Sequence, residues 1–204
     1  MGFGYVFLGC LLTCNVTYHT YTDIFAVALM LLGLSTLAPY ARGFSLSFKA
    51  GLPFLTVSGL SFFVSLFKLI GLWEPNTVLV SVLAVLSLVC RFFFFWFFFM
   101  GVDEVAKETD IPKLRAHALR SRFLTPVFCA AALFLEIGLF TEHTVFLKYY
   151  LLGYLLFGVI YSLLNSKTVY ECYMMICFEG DENMDAKPSR RAKKAKKAKK
   201  GEKK

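Results

Sequence analysis

Residues 90–100 read Cys90-Arg-Phe-Phe-Phe-Phe-Trp-Phe-Phe-Phe-Met100, one arginine followed by a nearly unbroken aromatic run. The run closes an apolar segment that begins near Thr77, and segments of the same kind lie on either side. A charge set among rings that only lipid or a protein core accepts points to an integral membrane protein. Composition agrees: 57% of the residues are hydrophobic and the mean hydropathy is +0.61. Only 18% are charged, where soluble domains carry about 25%. The basic excess sits at one end. Residues 187–204 hold 11 of the 22 Lys and Arg residues against Glu202 alone, which leaves the rest of the chain slightly acidic. The pI of 9.2 therefore describes an appendage.

A bilayer core takes ~20 apolar residues of helix. The pattern predicts an all-α polytopic membrane bundle of about six transmembrane helices, near residues 3–17, 24–38, 52–72, 77–101, 123–140 and 145–164, in one domain over residues 1–178. The first is the shortest and is weakened by Gly2, Gly4 and Gly9. Pro39 ends the second, and residues 40–51 read as a polar loop. Pro53 then falls in the first turn of the third, where proline costs no helical hydrogen bond. The fourth segment continues past Gly101 into amphipathic residues, after which Asp110 is expected to cap a second amphipathic stretch. There Ile111, Leu114, Ala118 and Leu119 oppose Lys113, His117 and Arg120, so residues 102–122 form an amphipathic loop at the membrane surface. Pro126 is expected to kink the entry to the fifth span. Residues 179–204 read as a disordered tail, polybasic from 187.

Charge sets the expected orientation. The turns at 18–22, 73–76 and 141–144 contain no Lys or Arg, whereas the loops at 40–51 and 102–122 carry two and five. Basic residues collect on the cytoplasmic side of spans, which predicts a plasma-membrane protein with both termini in the cytoplasm. Cys10, Cys14, Cys90 and Cys129 lie in apolar segments, where cysteine packs as a small hydrophobe. Cys172 and Cys177 fall on the reducing side, so no disulfide framework is expected. The N-terminus has no basic stretch and no small-residue cleavage site, so the first segment is expected to stay in the mature protein. The acceptor pattern Asn15-Val-Thr17 lies against that segment and is discounted.

Arg91 is the one charge deep in a predicted span. Ser87 shares its helical face, and the third segment offers a matching stripe in Ser58, Ser61 and Ser65. Small and hydroxyl residues let membrane helices approach and hydrogen-bond, so these stripes are expected to pack together, with Ser58 or Tyr161 at Arg91's depth. No acidic residue is expected at that depth. This favours a structural lock, or snorkelling to the headgroups, over a relay.

His19, Asp23, Glu136, Glu142 and His143 are placed together near the outer surface. They could hold a metal or an anion-bearing solute, but they come from separate turns without metal-ligand spacing. Pairing of snorkelling Lys68 and Lys148 with Glu136 or Glu142 is the plainer account. The chain has no H-E-x-x-H, G-x-S-x-G, Walker A or G-x-G-x-x-G pattern, and none of its three histidines falls deep in a span, so no enzyme and no cofactor is expected. In the tail, Arg190, Arg191, Lys193, Lys194, Lys196, Lys197, Lys199 and Lys200 repeat without aromatic residues to stack on bases. Nucleic acid is disfavoured on that ground, and anionic lipid headgroups are the expected contact, at ~1 kcal/mol per basic residue.

Three stretches carry a resemblance: Asp23-Ile-Phe with Gly33-Leu34 and Leu37, then Val105-Ala-Lys-Glu-Thr-Asp-Ile-Pro-Lys113, then Cys172-Tyr-Met-Met-Ile-Cys177. Together they resemble an uncharacterised group of small multi-pass membrane proteins of Gram-positive bacteria. That resemblance implies a membrane bundle over nearly everything before the tail and brings no activity or site with it. The expected role is that of a non-enzymatic membrane protein working through a membrane-protein partner or as a small binding subunit. A solute-capture subunit of a transporter is the alternative. A membrane enzyme with an unfamiliar site is third.

Overall fold

The computed structural model describes residues 2–13, 22–140 and 144–177. They form an all-α bundle: α1 Gly2–Leu12, α2 Asp23–Leu37, α3 Arg42–Ile70, α4 Thr77–Thr109, α5 Pro112–Phe140 and α6 Thr144–Cys172, which runs into a π-turn at Tyr173–Cys177. Each helix packs on the next, and α1 also meets α6, so the six close into a ring. Phe7 and Tyr170 seal that last seam with ring centroids 5.7 Å apart.

Four of these helices, α3 to α6, are long and apolar enough to cross a membrane. The protein is a polytopic membrane-helical bundle. The other two are shorter. At 11 and 15 residues, α1 and α2 cover about 16 and 22 Å of a hydrocarbon core ~30 Å thick. Their depth follows from their neighbours. Gly2 lies against Gly33 and Leu37, so α1 and α2 are antiparallel, with the start of α1 beside the end of α2. At the other end of α2, Ile24 reaches the space beside Gly59. Gly59 is eleven residues short of the end of α3, about 16 Å of helix. The helical parts of α1 and α2 thus occupy one half of the bundle's height.

The end of the bundle bearing residues 38–42, 101–117 and 168–177 is called the basic face. Beside it the chain departs from its sequence pattern in three places. Residues 40–51 are not a loop: α3 begins at Arg42, ten residues before the expected span. Pro53 lies inside that helix, where it frees the Lys49 carbonyl of its amide partner without ending the helix. Asp110 does not cap α5. It is the left-handed residue that ends α4, with φ 61°, and α5 starts at Pro112, a favoured residue for a first turn. The amphipathic loop is therefore two helical extensions joined by a tight turn. At the far face, Gly71 at φ 73° ends α3 while Leu72 N–H bonds back to Phe67 O at 3.1 Å. The Asn76 side chain then caps α4 by accepting from Val78 N–H at 3.1 Å.

The core lies in the half nearer the basic face. Within the aromatic run, Phe94, Phe95, Phe98 and Phe99 are buried, while Phe93 turns outward. Phe94 packs on Phe54 and Phe98 on Phe44, and Phe44 in turn meets Phe3 of α1. Backbone approach makes this possible. Gly43 faces Gly101 so closely that a Cβ on Gly43 would overlap the Gly101 backbone. Polar groups fix the same contact: Ser47 Oγ donates to Phe94 O at 2.9 Å, and Glu104 accepts from Gly43 N–H at 3.0 Å. That carboxylate sits at the start of α3, where the helix dipole favours it.

Candidate functional site

Arg91 projects from α4 into the ring rather than toward lipid. Its guanidinium lies 5.2 Å from the Phe128 ring centroid and 5.9 Å from that of Phe95. A small cavity beside it is lined by Cys10, Thr13, Arg91, Phe95, Tyr161, Ser162 and Asn165. Its room for water centres, about 10 Å3, is that of about one water. The Asp23 carboxylate, at the start of α2, is close enough to act on Arg91 electrostatically. Five helices therefore converge on one guanidinium. The expectation that no acid reaches Arg91's depth does not hold. Asp23 was assigned to the outer surface by assuming that the first two segments cross the membrane, and the short helices bring it to the interior instead.

Of the two residues expected near Arg91's depth, Tyr161 is the one found beside it. Tyr161 shares the cavity with Arg91, but Ser58, Ser61, Ser65 and Ser87 do not line it. Ser58 is buried, and its hydroxyl has no hydrogen-bond partner among the described residues. Glu136 is half-buried on α5, far along the chain from Asp23. His19, Glu142, His143 and the basic tail residues lie outside the described residues. Among the described residues, no three His, Cys, Asp or Glu side chains come together to hold a metal.

From the cavity a polar seam runs along the α5–α6 contact to the basic face. Thr125 Oγ1 and the Tyr161 hydroxyl are 3.1 Å apart, and Ser121 Oγ and Thr168 Oγ1 are 3.2 Å apart. Nearest the face, His117 Nδ1 meets the Glu171 carboxylate. The direction of the hydroxyl bonds follows from counting protons. Thr125 donates to Ser121 O and Thr168 to Leu164 O, both at 2.9 Å. With its one proton committed, Thr125 accepts from Tyr161, and Thr168 accepts from Ser121. Each short chain of hydroxyls therefore ends on a backbone carbonyl, which cannot hand a proton on. The seam works as a clasp between two helices.

A second polar group stands at the basic face. Asp103 is buried and takes Lys107, one turn along α4, and Arg115 of α5 at 3.3 Å. Arg122 lies over the Trp96 ring at 4.2 Å. Sequence reasoning passed over His117–Glu171 and Asp103–Arg115 because their members sit on different helices. One signal was available: His117, Ser121 and Thr125 recur every four residues, a polar stripe along one face of the helix. Comparison of the chain with protein-family models, curated proteins and solved structures gives no match, so its functional reading rests on its own residues.

Proposed function

We propose that this chain is a non-enzymatic plasma-membrane protein that acts by associating with another membrane protein. The observation that carries this reading is the small size of its polar centre. Arg91 is held between two aromatic rings and opposed by Asp23, beside a cavity with room for about one water. The hydroxyl seam leading to it ends on carbonyls. An interior built this way locks helices together and leaves the action to the protein's surface.

Four crossings with α1 and α2 as a hairpin entering from the basic face put both termini on one side, as six crossings would. The distribution of Lys and Arg makes that side the cytoplasm. A reporter active only in the cytoplasm, fused after Thr141, is expected to be silent, and activity there would overturn the orientation. Solute capture is the second reading, favoured by the convergence of Arg91, Thr13, Ser162 and Asn165 on one cavity. It requires the cavity, which has room for about one water, to widen. Purification from native membranes in mild detergent, followed by mass spectrometry, separates the two. A stoichiometric membrane-protein partner is the expected result, whereas a co-purifying ATPase or small solute would replace this reading with the second.

A further inference from the structure

Arg122, stacked on Trp96, marks a depth at which cations recur around the bundle. Arg120 stands two residues away on α5, and Lys167 on α6 is adjacent to Thr168, which meets Ser121. Lys49 on α3 lies between Ser47 and Gly51, which both contact Phe94, within about one helical turn of Trp96. Distances along the four long helices agree on what this level is. Lys49 is twenty-one residues from Ile70, and Trp96 nineteen from Thr77, about 31 and 28 Å of helix. Arg120 is twenty residues from Phe140, and Lys167 twenty-three from Thr144, about 30 and 34 Å. A hydrocarbon core is ~30 Å thick. With the far ends of these helices at one boundary of that core, the four cations mark the other, at the headgroups on the basic face.

Among the described residues these cations have no anion opposite them. The described salt bridges use Asp103 and Glu171, which lie toward water and are held by Lys107, Arg115 and His117. None of Lys49, Arg120, Arg122 and Lys167 makes a salt bridge among the described residues. The guanidinium groups are only half exposed, and their covered nitrogens lack acceptors: Arg120 Nε and Nη2, and Arg122 Nε. A charged donor left without an acceptor away from water is costly. At headgroup depth the acceptor available is a phosphodiester oxygen, which a planar guanidinium can bind in bidentate fashion.

We propose that Lys49, Arg120, Arg122 and Lys167 form a binding belt for the phosphates of anionic phospholipids in the leaflet at the basic face, with Arg120 and Arg122 beside Trp96 as its recessed part. This belt is separate from the polybasic tail. It belongs to the helical bundle and contacts lipid at one fixed depth, whichever membrane partner the protein has.

Trp96 is also the reporter. The chain has two tryptophans, so the Trp73→Phe protein in nanodiscs fluoresces from Trp96 alone. Brominated phosphatidylglycerol in a phosphatidylcholine background is expected to quench Trp96 at lower mole fraction than brominated phosphatidylcholine does. Added separately, Arg120→Gln and Arg122→Gln should each cut that preference about fivefold, the equivalent of ~1 kcal/mol per basic residue near an anionic surface. Lys167→Gln, an exposed position that threatens no packing, should cut it by a smaller factor. The tail is retained throughout, so a preference that survives all three substitutions would assign the lipid to the tail and overturn the belt. Equal quenching by the two lipids would overturn it as well.

Discussion

The two halves of this bundle are built on different principles. Near the basic face six helices pack around buried phenylalanines, with Gly43 on Gly101 and polar ties at Ser47, Glu104 and Asp103. In the far half the helical parts of α1 and α2 are gone. There the large apolar residues Phe63, Phe67, Ile70, Val78, Val82 and Leu86 of α3 and α4 are exposed. Exposure of this kind suits lipid, which is as apolar as leucine and gives no hydrophobic drive for helices to associate. One half is therefore held by shape and hydrogen bonds. In the other, α5 and α6 keep a tie, Tyr150 donating to Ala131 O at 2.8 Å with Phe134 against the Tyr150 ring, while the α3–α4 wall faces outward.

The Arg91 centre sits where the halves meet, and breaking it should have the largest effect. Asp23→Asn removes the carboxylate that acts on the buried Arg91 guanidinium from beyond ion-pair distance, and the apparent melting temperature in detergent should fall by several degrees. Adding Arg91→Leu should recover much of the loss, since the pair would then be absent altogether. A double variant no more stable than Asp23→Asn alone would mean that Asp23 does not oppose Arg91.

A glycine comparison sharpens the contrast at the next level. A side chain at Gly43 overlaps the backbone of α4, whereas a Cβ at Gly153 in the far half of α6 meets nothing within 4 Å. Gly43→Leu is expected to cost about 3 kcal/mol or to prevent folding, as overpacking against backbone does. Gly153→Leu should leave the melting temperature unchanged. Equal losses from both would remove the distinction between the halves.

How much of this was legible beforehand follows the same division. The long apolar helices, the buried arginine and the alternation of basic loops could be read from the chain because each is a local property of composition. Three features could not. The start of α3 was hidden because Arg42–Ala50 mixes Ser47 and Lys49 with Phe44 and Phe48, a pattern that suits a packed interface and fails a hydropathy window. The depth of Asp23 depends on how far α1 and α2 reach, and apolar composition does not report length in space. The clasp of α5 on α6 joins residues thirty-six to fifty-four positions apart, visible in sequence only as the polar stripe His117, Ser121 and Thr125. Of the outer cluster, Asp23 opens α2 and Glu136 lies on α5, while His19, Glu142 and His143 lie outside the described residues.

The clasp itself gives a smaller effect. Tyr161→Phe removes the donor to Thr125 but leaves the ring stacked on Phe128, whose centroid is 4.5 Å away with planes 6° apart. Thr125 keeps its bond to Ser121 O, while the buried Asn165 side chain loses the Tyr161 hydroxyl as a partner. The expected loss is therefore one interhelical hydrogen bond and one within α6, ~1–2 kcal/mol. Tyr161→Ala removes the stack as well and should cost ~3 kcal/mol or more. If Tyr161→Phe proved as damaging as Tyr161→Ala, the hydroxyl would have a role beyond the clasp, and the assignment of its proton to Thr125 would have to be revised.

The smallest expected effect tests the far half directly. Phe63 and Phe67 of α3 are exposed, with ring centroids 6.5 Å apart and planes tilted by 33°. In water such a pair would be a liability, yet in lipid its replacement exchanges one apolar surface for another. Phe63→Leu should change stability by less than ~0.5 kcal/mol in a bilayer, like other substitutions away from packed features. The substitution becomes informative through the proposed partner. If the isolated protein is unaffected while co-purification of a membrane protein from native membranes is lost, the outer wall of α3 carries that contact. If stability falls instead, the far half is packed more like the near one than its exposure indicates, and lipid is not what covers Phe63.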